Sequence, residues 1–252
     1  MGAFFNEILF RPIFNAFIAI YQFAAFHDLG ITIIILTVVI RLILFPLFHA
    51  TARYQKLAPK VQKRMKEIQH KHKDNKEEQT KAMMELYKEH GINPFTPFIS
   101  LIVQIPILLA LYQVLRKLFS YQPAGLIYPF ITAPLSLNTN LLGIIDLSKP
   151  NVVIIVLAAA LQYIQAKISL PEHEDNAPLD QAEKMGRSMA LIGPIITLVI
   201  FWNLPAALGL YWTTFTAFSV LQQLIVNRRL KKDGSVKLQQ DGKTYTTPKG
   251  TN

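Results

Sequence analysis

From Ser188 to Asn227 the chain runs forty residues without one acidic, basic or histidine side chain. A helix that crosses a bilayer needs about 20 residues, so this run predicts two spans joined by a tight turn. Pro205, in "WNLPAALG", marks the turn, which gives spans at 188–204 and 207–226. The rest of the chain agrees. Of 252 residues 51% are hydrophobic and 17% charged, and the mean hydropathy is +0.28. The apolar residues fall in blocks rather than at the period of a soluble helix or strand. Further spans are predicted at 30–48, at 97–119 and at 151–168. Pro106 lies inside the second of these, which membrane helices tolerate. Residues 120–150 contain Pro123, Pro129 and Pro134 and read as an interfacial loop, and 169–187 as a short loop with acidic residues.

Residues 1–29 lack a clear signal-peptide cleavage site and are expected to be retained. Glu7, Arg11, Asn15 and Gln22 recur at spacings of four, four and seven, the polar stripe of an amphipathic helix lying in the membrane interface. Residues 49–96 change character. Between 49 and 93 stand eleven Lys/Arg and six acids. A helix beginning near Pro59, a polar turn "HKDNK" and a second helix from Lys76 to Gly91 predict a water-exposed hairpin. Placing this hairpin in the cytoplasm, with Lys167, the 169–187 loop and the basic tail 227–252, collects twenty-one Lys/Arg on that side against four on the other. The bias predicts the N-terminus outside and the C-terminus inside.

One charge interrupts the spans. Arg41 stands in "ITIIILTVVIRLILFPLF", about 16 Å from the outer end at ~1.5 Å per residue. A guanidinium there costs ~3 kcal/mol on insertion scales and ~10 or more on an isolated helix. No Asp or Glu lies in any of the five predicted spans, so a salt bridge is not available. The expectation is a water-filled recess open to the cytoplasm. Thr37, one turn from Arg41, and Gln104, Gln162, Gln165, Thr213, Thr214, Thr216, Ser219 and Gln222 are candidate lining residues. Any one of them alone more often bonds helix to helix.

Other chemistries find little support. The absence of cysteine excludes disulfides and thiol ligands. No HExxH and no glycine-rich phosphate loop occurs, so no metal or cofactor is expected. The pI near 9.7 raises nucleic-acid binding, but the hairpin's net charge is only +5 and it has almost no interleaved aromatics. Contact with ribosomal RNA or anionic lipid is the most its charge suggests.

Four stretches resemble the YidC-type membrane protein insertases, related to the mitochondrial Oxa and chloroplast Albino proteins. They are "VVIRLILFPL" (38–47), "KLAPKVQKRMKEI" leading to "KAMMELYKEHGINPF" (56–95), "LIVQIPILLALYQVL" (101–115) and "FWNLPAALGLYW" (201–212). The resemblance implies an all-α membrane protein of five transmembrane helices around a hydrophilic groove open to the cytoplasm. It implies groove or substrate-sliding roles for Arg41, Thr37, Gln104, Gln165, Tyr211 and Trp212, and Gln162 joins them as a groove candidate from the residue pattern alone. It also implies cytoplasmic contacts with the ribosome and a targeting receptor through the hairpin, Lys56, Lys60, Lys63 and Arg64, and through the tail. Beside other members, the chain is expected to lack the large outer domain and the lipobox cysteine that some carry, and to have a short tail compared with those of organelle members. With no transit-peptide features, a bacterial plasma membrane is expected.

The expected function is therefore a non-enzymatic insertase and chaperone. It would move short hydrophilic segments of nascent membrane proteins across the bilayer while the client helix slides into lipid, with the general translocation channel as a possible partner. The alternative is a small anion channel or transporter built on Arg41. Against it stands the lack of any internal repeat.

Overall fold

The computed structural model describes residues 3–120, 125–132, 134, 136–170 and 181–232, without the side chains of Lys60, Lys63, residues 181–187 and Met189. Most of the 169–187 loop and most of the tail, as well as Pro123, lie outside the described residues.

A short α1 (Ala3–Phe5) passes through a π-helical turn (Asn6–Phe10) into α2 (Arg11–Phe23). Pro12 sits in the first turn of α2. It has no N–H to donate back along the helix, and a wider turn just ahead of it absorbs that loss. Each residue of the polar stripe is engaged within the protein, although Arg11 Nε meets no hydrogen-bond partner among the described residues. Arg11 pairs with Glu7 at 2.9 Å. Asn15 donates to Leu126 O at 3.0 Å and accepts from Tyr128 N at 2.7 Å, and Gln22 donates to Thr132 O. Residues 126–132 thus follow this rod over two turns.

Asp28 caps α3 (Leu29–Ile43) by accepting Ile31 N at 2.8 Å. The helix stops at Leu44, and α4 (Phe45–Lys71) begins with Pro46 in its first turn. Pro46 cannot continue the hydrogen-bond ladder of α3. The axes of Leu29–Ile43 and Phe45–Pro59 meet at 77°. Two expectations need correction here. The span predicted over 30–48 is broken at 44, and the hairpin helix expected near Pro59 starts at Phe45. Pro59 lies inside α4, where it removes one ladder hydrogen bond but does not end the helix.

α5 (Lys76–Glu89) is capped by Asn75, which accepts Glu77 N and Glu78 N at 3.2 Å each. Gly91, at φ 60°, closes it, with Ile92 N bonded to Tyr87 O. A residue in the left-handed region is the usual device for ending a helix, and glycine takes it without strain. α4 and α5 pack together around a core of Ala52, Leu57, Val61, Leu86, Tyr87 and Ile92, which Val226 and Leu230 of α9 (Ala206–Lys232) complete.

α6 (Thr96–Phe119) carries Pro106 in its interior. After it, β1 (Asn140–Leu141) and β2 (Ile145–Asp146) pair antiparallel. The connection passes through Leu142 and Gly143, at φ 52° and 73°, and positive values of this kind match the twist of a tight hairpin. Then follow α7 (Val152–Ser169), α8 (Gln181–Phe201) and α9. α9 packs on α7, α3, α4, α6 and α8, so it is the axis of the molecule. The main core joins Phe14, Phe17 and Ile18 of α2 to Leu29 and Ile33, to Leu111 and Leu115, to Ile155, and to Leu208 and Tyr211.

One end of this bundle is bound up by the 126–149 segment. Leu142 N donates to Asp28 at 2.6 Å and Asn138 N to Tyr21 Oη at 2.9 Å. Leu147 O and Lys149 O accept Ala207 N and Ala206 N, which are orphan donors of the first turn of α9. The hairpin stands at the other end.

Among the described residues three helices are long and apolar enough to cross a membrane: Ala3–Phe23, Thr96–Phe119 and Val152–Ser169; the bent pair makes up to four. α8 contributes a shorter apolar stretch, Ala190–Phe201. The rod read as interfacial thus also qualifies by length. α9 is less apolar because it holds Thr213, Thr216, Ser219, Gln222 and Gln223, and all five are buried.

Candidate functional site

α3 and α9 meet where Arg41 emerges from the last turn of α3. Its side chain is only 2% exposed. The guanidinium carbon lies 4.1 Å from the ring centre of Phe48, 4.5 Å from Phe215 and 5.0 Å from Phe218. The bend at Leu44 brings Phe48 back over Arg41, and the helical spacing of Tyr211, Phe215, Phe218 and Gln222 puts these on one face of α9. Nη2 donates to Gln222 Oε1 at 2.7 Å, and Gln222 Nε2 donates to Phe45 O at 3.1 Å. Nε and Nη1 are buried and meet no hydrogen-bond partner among the described residues.

The open, water-lined recess expected around Arg41 is therefore not its surroundings. Three π faces and one amide enclose it. The magnitudes are telling. Desolvated cation–π contacts give about 2 kcal/mol each, and a hydrogen bond to a charged group about 1.5–3 kcal/mol. Together they match the insertion-scale cost of ~3 kcal/mol with room to spare but fall short of the ~10–17 kcal/mol of an isolated helix.

The sequence-predicted residues sort into two groups. Gln104, 8% exposed, donates to Tyr211 Oη at 2.6 Å. Tyr211 lies 6.3 Å, and Trp212 5.6 Å, from Phe215, ring centre to ring centre. Gln104, Tyr211, Trp212 and Arg41 thus converge on Phe215. Trp212 Nε1 is a second buried donor with no partner among the described residues. Thr37 is buried one turn from Arg41, and its hydroxyl donates to Ile33 O at 2.6 Å, so its proton is committed to its own helix. Gln162 goes elsewhere. It accepts Thr197 of α8 beside Gly193, where an added Cβ would lie 3.1 Å from its Nε2. The position serves close helix packing. Gln165 is half-buried near the end of α7, and among the described residues no hydrogen bond joins its side chain to Arg41.

The hairpin candidates also divide. Lys56, expected at the cytoplasmic surface, is 6% exposed. Its Nζ donates to Leu170 O at 2.6 Å and Ile168 O at 3.4 Å. These are carbonyls at the C-terminal end of α7, where the helix dipole favours a cation. Lys56 is an internal cap rather than a partner contact. Arg64 is half-exposed and 3.8 Å from Glu89. Lys60 and Lys63 lie outside the described side chains.

Sequence reading missed Phe48, Phe215 and Phe218. The spacing of the two α9 aromatics with Gln222 was the available signal.

With this geometry in place, the comparisons with known proteins are decisive for kinship. The family model of the 60Kd inner membrane protein matches residues 20–233. The chain belongs to that family. It is 32% identical over 224 residues to the membrane protein insertase YidC of Geotalea uraniireducens, covering 88% of this chain and 38% of that one. It is 33% identical over 218 residues to that of Helicobacter pylori, covering 84% and 35%. For Geobacter metallireducens the identity is 29% over 225 residues, covering 88% and 37%. The chain thus spans well under half the length of these relatives. Its fold is similar to that of the crystal structure of an active YidC insertase with the first transmembrane domain resolved, at TM-score 0.50 and 24% identity, over 84% of this chain and 45% of that one.

Proposed function

We propose that the chain is a membrane protein insertase that moves short hydrophilic segments of client proteins across the bilayer while the client's apolar helix enters lipid. The observation that carries this is Arg41: a buried cation with no carboxylate beside it and two nitrogens, Nε and Nη1, uncommitted among the described residues. Buried donors of this kind favour any acceptor that reaches them, and an acidic one most. Trp212 Nε1, stacked on the ring that also faces Arg41, offers a second donor on the same route. Client driving force comes from burying its apolar helix, where each large aliphatic residue contributes about 0.3–0.6 kcal/mol, and from the membrane potential acting on a negative tail. No catalysed bond change is involved, and the process needs no nucleotide, metal or cofactor.

In this reading five spans, counting α8 and α9, enclose a groove reached from the hairpin side. The N-terminus lies outside, the C-terminus in the cytoplasm, and the membrane is a bacterial plasma membrane. The α1–α2 rod lies in the outer interface, a placement supported by its bonds to Leu126, Tyr128 and Thr132 along two turns. The hairpin, through Arg64, Lys60 and Lys63, and the tail meet the ribosome and a targeting receptor, and the general translocation channel is a further partner.

The test is insertion of a short-tailed single-span client into vesicles holding the purified chain. Arg41→Ala is expected to reduce translocation of an acidic tail severalfold. Unaided insertion at the same rate in empty vesicles, or chloride flux with no insertion, would sink the proposal.

A further inference from the structure

We infer that Gln222 is the positioning residue of Arg41: a neutral tether that fixes the guanidinium without discharging it, so that its positive charge stays available to an acidic client segment. This rests on the insertase reading above and adds to it which residue sets the charge.

Gln222 is 2% exposed and committed at both ends. Its Oε1 takes Arg41 Nη2 at 2.7 Å and its Nε2 gives to Phe45 O at 3.1 Å. A side-chain amide answers both demands, whereas a carboxylate has no donor for Phe45 O and an ammonium no acceptor for Arg41. Phe45 is the first residue of α4, immediately past the 77° bend. Gln222 therefore ties α9 both to the charge and to the break that folds Phe48 over it. Without the tether, a long cationic side chain in the half of the bilayer nearer a surface would swing its head toward water.

The choice of a neutral acceptor has an electrostatic consequence. A glutamate at this position would satisfy the same N–H but cancel the charge in a medium where Coulomb forces are strong. An amide satisfies one donor and leaves both the charge and the Nε and Nη1 donors uncommitted.

The experiment uses the full chain in vesicles with two clients that differ only in a short tail, one with aspartates and one with asparagines at the same positions. The readout is the ratio of acidic-tail to neutral-tail insertion. The near-isosteric Gln222→Glu is expected to lower acidic-tail insertion more than neutral-tail insertion and so bring that ratio down to about one. Gln222→Leu, which frees the guanidinium but keeps its charge, should lower the ratio by roughly threefold to tenfold, the range that about 0.7–1.4 kcal/mol covers. A second measurement is independent of transport: the 15N signals of the Arg41 guanidinium should report hindered rotation in the native chain and freer rotation in Gln222→Leu. If both clients fall together in both variants, or if ratio and rotation are unchanged, Gln222 is scaffold and the inference is wrong. A native chain that inserts neither client overturns the insertase reading itself.

Discussion

Lys56 shows how one residue can be placed by sequence and reassigned by structure. In a stretch with eleven Lys/Arg it reads as one more surface cation. Yet it lies where the last carbonyls of α7 need donors, and its ammonium takes them. Lys56→Met, which keeps the aliphatic stem, should lower the stability of the detergent-solubilised protein by about 1–3 kcal/mol, as loss of a charged hydrogen bond at a helix end implies. A thermal melt unchanged from the native protein would return Lys56 to the surface. Arg41 was the opposite case: a charge inside an apolar run cannot be overlooked. Its partners could be, because Phe48, Phe215 and Phe218 look like any other apolar residues of a span. Only the fold turns them toward one cation.

Among the elements, the prolines were the hardest to read. Pro46 and Pro59 are both compatible with a helix start, and local propensity does not choose between them. The structure starts α4 at Phe45, and the helix packs on α6, α9 and α5. The turn "HKDNK" and Gly91 were the signals in the sequence here, and the structure places the start and the end of α5 at them. The core between α4 and α5 offers a titration. Tyr87 is buried against Tyr54, with ring centres 6.4 Å apart, and burial with that neighbour raises its phenol from 10.0 to about 12. The folded hairpin thus holds the proton more tightly than the unfolded chain. This contribution to stability is complete below pH 10 and disappears as the pH rises toward 12. Tyr87→Phe should flatten the loss of stability over that window; an identical alkaline melting profile would refute the assignment. At the opposite end the sign reverses. Ser148 and Lys149 hold Asp146 down at about 2, so its stabilising hydrogen bonds persist above pH 3.8 and are lost as pH falls toward 2.

For the whole molecule, what the sequence conveyed is the alternation of apolar and charged blocks, and the structure shows the apolar ones as helices, three or up to four of them long and apolar enough to cross a membrane among the described residues. The bend at Leu44 and the inward polar face of α9 were not legible there, since both depend on what the helices pack against. Sidedness is directly measurable. Ile144, beside the β-turn, is 82% exposed and Met84, on the hairpin, 43%. The variants Ile144→Cys and Met84→Cys should react with impermeant maleimide from opposite faces of the membrane, Ile144→Cys from outside intact cells. Labelling of both from one side would reject the proposed topology.

The second core has a mechanical corollary. α9 is 27 residues long. At ~1.5 Å per residue it reaches about 40 Å. The same rigid rod carries Phe215, Phe218 and Gln222 at its middle and, farther along, Val226 and Leu230, which are built into the hairpin. A tug on the hairpin by anything that grips it is thus delivered as torque on the cage. In the proposed assembly, a partner on the hairpin and a loaded cation site would sense each other through a single lever, with no relay of intervening side chains.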